Sequence, residues 1–95
     1  MTSYTRFDTP NAARFLTKLC EHFGRKVEAQ ETGGAGWVQF PFGRCEMKAA
    51  SDHLEFRASA PSAEGLAMVV QVVTSHLERY AFRENPLLDW STAPE

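Results

Sequence analysis

A change of period at residue 26 constrains this chain more than any other feature. Through "DTPNAARFLTKLCEHFG" apolar side chains recur at three- and four-residue steps. Ala12, Phe15, Leu16, Leu19, Cys20 and Phe23 therefore fall on one broad helical stripe, while Arg14, Lys18 and Glu21 face water. From residue 26 the step becomes two. "KVEAQE" turns at "TGGAG", where glycines relieve the steric cost of positive φ, and returns as "WVQF". "PFG" then interrupts the run, because Pro41 cannot donate a backbone hydrogen bond to a ladder. "RCEMKA" continues it with Cys45, Met47 and Ala49 inward and Arg44, Glu46 and Lys48 outward, and after the turn "SDH" the segment "LEFRA" puts Leu54, Phe56 and Ala58 inward. The alternation predicts an antiparallel meander of four strands.

Helical signals bracket that meander. Thr9 is the expected cap of the first helix, Pro10 fits its first turn and Gly24 supplies the stop. After Pro61 the helical period returns, with Ser62 as cap and Leu66, Val69, Val70, Val73, Leu77 and Tyr80 as the stripe, until "ENP" ends it. The many β-branched residues lower its intrinsic propensity, so this helix should depend on packing against the sheet. "SYTRF" reads as a short first strand with Ser3, Thr5 and Phe7 on one face, and "LLDW" as a short last strand or an extended tail along the core. The fold class is therefore α+β: two helices on one face of a mostly antiparallel sheet of about four strands, with room for short terminal strands. A chain of 95 residues is expected to share one core, as a single domain spanning 1–95.

Charge and composition exclude some functions. Ten Lys plus Arg against twelve Asp plus Glu, with no basic block, disfavour nucleic-acid binding. "TGGAGWVQF" enters a strand and lacks the lysine and hydroxyl of a phosphate loop. "MTSYTRFDTP" lacks the apolar run of a signal peptide, and "LAMVVQVV" is too short to span a bilayer, so no membrane partner and a cytoplasmic location are expected. In that reducing compartment Cys20 and Cys45 would be free thiols, metal ligands or small core residues. An exposed Trp37, Val27 or Trp90 would favour a homodimer through the sheet or its edge.

Three chemistries compete for the polar residues. Cys20, Cys45, His22 and His76 are the right inventory for a tetrahedral zinc site or a softer iron or copper site. Their spacing matches no familiar motif. Cys20 and His22 stand about 200° apart around a helix, so Cys20, Cys45 and His76 form the more feasible set and His22 serves elsewhere. A nucleophilic Cys45 beside His76 is the enzyme reading, but no oxyanion donor or orienting carboxylate can be assigned to it, and the residues favour binding over catalysis. Finally, His76, Arg79 and Arg83 share one side of the second helix and Arg44 lies in a neighbouring strand, an arrangement that could clamp a small carboxylate or phosphate. The competing structural account is a network in which Glu78, Arg79, Arg83 and Glu84 fasten the helix end and tail, with Pro41 and Gly43 as structural residues of the "PFG" turn.

"LCEHFGRKV", "FPFGRCEMKA" and "SHLERYAFRE", in that order, resemble the bacterial family catalogued as domain of unknown function 2218. The resemblance covers nearly the whole chain, and the family's recurring polar positions match Cys20, His22, Cys45, His76, Glu78, Arg79, Arg83 and Glu84. The family occurs as stand-alone proteins of this length and appended to siderophore-interacting, flavin-dependent ferric reductases. The resemblance thus implies a compact domain with a link to iron or siderophore metabolism and a reductase as partner. It brings no accepted catalytic residue and leaves the cofactor unknown.

Overall fold

Strand β1 (Thr2–Asp8) leads into helix α1 (Ala12–Phe23), followed by β2 (Glu28–Thr32), β3 (Ala35–Phe40), β4 (Gly43–Ala49) and β5 (His53–Ser59). Helix α2 (Ala63–Tyr80), a 3-10 turn (Phe82–Glu84) and β6 (Ser91–Thr92) complete the chain in this computed structural model, which describes residues 1–84, 86 and 88–92. Asn85 of "ENP" and Leu87 of "LLDW" lie outside the described residues.

The meander forms where the alternation placed it, and the terminal segments extend it. Six strands pair antiparallel in the order β2-β3-β4-β5-β1-β6, so the first strand inserts between the last strand of the meander and the C-terminal segment. Register follows from two tight turns. Gly33 and Gly34, at φ +60° and +83°, make the two-residue connection that sets Thr32 opposite Ala35. Pro41 and Phe42 likewise connect Phe40 to Gly43, its partner in the ladder. Pro41 thus occupies a hairpin turn, where its missing donor costs nothing.

Both helices lie on the face carrying Val38, Phe40, Cys45, Met47, Leu54 and Phe56, all buried. The α1 stripe is buried as its period requires, and α2 buries Gly65, Val69, Val73 and Leu77 while Leu66, Val70 and Tyr80 pack at the margin. Burying each large side chain contributes about 1.5–3 kcal/mol, enough to hold a β-branched helix that would be marginal alone. Glycines on the strands let the helices approach: a Cβ at Gly36 would fall 2.9 Å from Cys20 Sγ, and one at Gly43 would fall 2.7 Å from Val69 Cγ2.

Helix starts differ in how they are satisfied. Ser62 caps α2 as expected, its hydroxyl accepting from the Gly65 amide at 3.0 Å. Helix α1 begins later than the sequence suggests, with Asn11 rather than Thr9 as N-cap and no side-chain cap from that residue. Thr9 Oγ1 instead accepts from the Asn11 amide at 3.0 Å and donates to Glu84 Oε1 at 2.5 Å, while Asn11 Nδ2 donates to Glu84 Oε2 at 2.8 Å. The acid missing from the first turn of α1 therefore arrives from the far end of the chain. The C-terminal segment is also fastened: Trp90 packs on Phe56 with ring centroids 6.0 Å apart and donates Nε1–H to Thr74 Oγ1 at 2.8 Å. Ser3 and Thr5, buried on the helix side, donate to the carbonyls of Ser91 and Asp89.

Candidate functional site

His22, in the last turn of α1, stands three residues beyond buried Leu19 and so borders the apolar stripe. That offset turns it toward α2 instead of the sheet, and its imidazole lies 4.8 Å from that of His76 at an interplanar angle of 47°. Phe23 packs on the His76 ring at 4.7 Å and edge-on to Phe40 at 5.2 Å, and Phe40 stacks on Phe42 at 5.2 Å. These rings and Val72 wall a pocket of about 260 Å³, with Lys26 at its lining as the one formal cation. The "PFG" turn contributes directly, since Phe42 enters the pocket only because Pro41 and Phe42 form a two-residue connection.

Electrostatics give the two histidines definite roles. His76 Nδ1 lies 2.7 Å from the Val72 carbonyl one helical turn back. A carbonyl can only accept, so Nδ1 carries the proton, and in the neutral ring Nε2 is left as an acceptor. Burial, followed by His76 and the cations Arg25, Lys26 and Arg79, holds His22 below the ordinary imidazole value of 6.5. These influences favour the neutral form of His22. Imidazole nitrogens in an apolar pocket can accept a hydrogen bond from a phenol.

The cysteines do not join them. Cys20 faces Gly36 and the Gln30 carbonyl, with Sγ 3.7 Å from that oxygen, and Cys45 is fully buried beneath the helices. Burial pushes the Cys20 thiol up to about 11, assisted by Glu31, and raises Cys45 further. Both are free cysteines, and burial favours the thiol over the thiolate in each. Among the described residues no three His, Cys, Asp or Glu side chains converge on a position that could hold a metal ion. The cysteines of the expected set Cys20, Cys45 and His76 pack in the core against the sheet, and His22, which the sequence places elsewhere, is the residue that meets His76.

The residues of the expected arginine clamp are also distributed over different elements. Helix α2 ends at Tyr80, so Arg83 belongs to the 3-10 turn and leaves the face that His76 and Arg79 occupy. Arg44 lies on the opposite face of the sheet, its guanidinium 4.4 Å from the Trp37 ring centre and 3.8 Å from Glu46. Among the described residues no ion pair links Glu78, Arg79, Arg83 and Glu84. Glu84 does fasten the helix end, through Thr9 and Asn11.

Polar features missed by the sequence reading lie mostly on the helix-free face. Arg57 links Tyr4 Oη at 2.9 Å and Glu46 Oε1 at 2.8 Å across three strands. His53 is held between Asp52 at 2.8 Å and Glu55 at 2.7 Å, and these partners, Glu55 foremost, raise its pKa above 6.5. The i, i+2 spacing of His53 and Glu55 on an alternating strand was the available signal. Among the described residues no helix is long and apolar enough to cross a membrane.

No curated protein matches the chain. Among solved structures it is similar to one described as the NMR structure of PA4090 from Pseudomonas aeruginosa, at 33% identity and a TM-score of 0.83, over 99% of this chain and 98% of that one. The family model described as "Uncharacterized protein conserved in bacteria (DUF2218)" matches residues 4–91, from the third residue of β1 through both helices to the first residue of β6. The chain belongs to the DUF2218 family of bacterial proteins.

Proposed function

We propose that this protein is a small-ligand binding module whose pocket between α1, α2 and the Pro41–Phe42 turn takes a planar aromatic molecule bearing a phenol or carboxylate. The observation that carries the reading is the pair of imidazoles, from two different helices, set side by side in the wall of an otherwise apolar pocket. A cavity of roughly 150 Å³ admits benzene. A pocket of about 260 Å³ therefore suits one substituted ring. Phe23, Phe40 and Phe42 supply the stacking surface, the His22 and His76 nitrogens accept from a phenolic hydroxyl, and Lys26 attracts a carboxylate. The connection with iron or siderophore metabolism implied by the family's occurrence beside ferric reductases fits this chemistry, since aryl acids and catechols are common iron-chelating groups. A reductase would then be the partner that receives or releases the ligand.

Titration of isotopically labelled protein with benzoate and with catechol, followed by NMR of the imidazole and backbone signals, tests the reading. Saturable shifts centred on residues 22, 23, 42 and 76, lost in Phe42→Ala and His22→Ala, support it. Absence of saturable shifts with both probes at millimolar concentration overturns it.

A further inference from the structure

A second groove lies beyond Tyr80, where the 3-10 turn passes the solvent side of α1. Arg14 and Lys18, one helical turn apart, line one wall and Arg83 the other, around a volume of about 400 Å³. Phe15, Tyr80 and the strongly exposed Phe82 ring supply apolar surface between them. Lys18 Nζ stands 5.7 Å from the Tyr80 ring centre and the Arg83 guanidinium 5.8 Å from that of Phe82. Aromatic faces thus support two of the cations from the side.

The lining carries one acid, Glu84, against three cations. Both Glu84 oxygens accept hydrogen bonds, from Thr9 Oγ1 and from Asn11 Nδ2. That carboxylate is directed to the start of α1, and among the described residues Arg14, Lys18 and Arg83 have no ion-pair partner. In a chain of formal charge −2, the groove thus gathers three cations against one carboxylate, a local excess of positive charge in one concave place. Guanidinium groups on opposing walls, with an ammonium beside them, match an anion that presents several oxygens in more than one direction.

We propose that this groove binds a small multivalent oxyanion, a phosphate ester or a polycarboxylate, through Arg14, Lys18 and Arg83. The site is separate from the imidazole pocket and does not depend on it: Arg83 is recruited here by the end of α2, and Arg14 and Lys18 by the outer face of α1. Tyr80 stands between the two sites, with its ring 5.8 Å from His22 on one side and Lys18 on the other.

The test uses the full chain at low ionic strength, titrated separately with pyrophosphate and with citrate while backbone amides are followed by NMR. Saturable shifts centred on residues 14, 18 and 81–84 are expected from at least one probe. Arg14→Gln and Arg83→Gln should each weaken binding about tenfold, the loss expected for one charge-assisted contact. Arg6→Gln, an exposed cation on the helix-free face, should leave it unchanged. Preference for pyrophosphate assigns a phosphate ester and preference for citrate a polycarboxylate. Binding by neither probe, shifts as large around Arg6 as around Arg83, or wild-type affinity in both groove variants would overturn the proposal.

Discussion

Gly43→Ala adds a methyl group where three neighbours already crowd the backbone. The added Cβ would lie 2.6 Å from the Ser59 carbonyl oxygen, 2.7 Å from Val69 Cγ2 and 3.0 Å from Ala60 Cβ. Ordinary contact begins near 3.4 Å, so strand β4 and its neighbours must separate by about 0.7–0.8 Å. Neither obstacle is soft. The Ser59 carbonyl belongs to the strand paired with β4, and Val69 is a β-branched residue, fully buried in a helix, where one χ1 rotamer dominates. The cost therefore falls at the upper end of the overpacking range, about 2–3 kcal/mol. In a domain of this size that corresponds to a fall in Tm of roughly 10–20 °C. Thermal and urea unfolding followed by circular dichroism would measure it. Val69→Ala, which costs about 2–3 kcal/mol alone by removing buried methyls, should relieve part of the clash, so the double variant should be more stable than the sum of the singles by about 1 kcal/mol. A Gly43→Ala midpoint within about 2 °C of wild type, or strict additivity with Val69→Ala, would refute the packing argument.

Two further outcomes follow from polar contacts. Glu84→Ala removes the acceptor for Thr9 and Asn11 and should cost about 1–3 kcal/mol, with earlier amide exchange at the start of α1 than in wild type; equal protection there would separate Glu84 from helix capping. His53, whose pKa is raised by Glu55 and Asp52, contributes stability that is fully present below the unfolded value of 6.5 and lost as pH rises through the higher folded value. The urea midpoint should accordingly decline above pH 6.5 in wild type by more than in His53→Gln, and parallel profiles would remove His53 as the cause.

Elements governed by period were legible in the sequence, and those governed by meeting across the fold were not. The α1 stripe, the alternation of Cys45, Met47, Leu54 and Phe56, the Ser62 cap and the Gly33–Gly34 turn are local matters of spacing and φ, which neighbouring residues determine. The position of β1 between β5 and β6 is a pairing choice made some fifty residues away, and no local signal encodes it. The same distinction governs the sites. That His76 would border the core could be read from its offset to Val73 and Tyr80. That His22 would be its neighbour depended on how closely α1 and α2 approach, and that Arg83 would join Arg14 depended on α2 ending at Tyr80. Thr9 carried the right chemistry for a cap but was assigned the wrong partner, because Glu84 lies far along the chain.

The insertion of β1 into the sheet also sets an order on assembly. The meander and its flanking helices can form from contacts between near neighbours in the chain, whereas Thr2–Asp8 must wait until His53–Ser59 exists to receive it. During synthesis this strand emerges before the strand that receives it, and it remains without that ladder until residues 53–59 follow. Its alternation of Tyr4, Arg6 and Asp8 with Ser3, Thr5 and Phe7 keeps that waiting segment polar, with Phe7 its only buried large apolar side chain. A strand richer in valine or isoleucine would pack as well in the finished sheet and would expose a far more adhesive surface before it was finished.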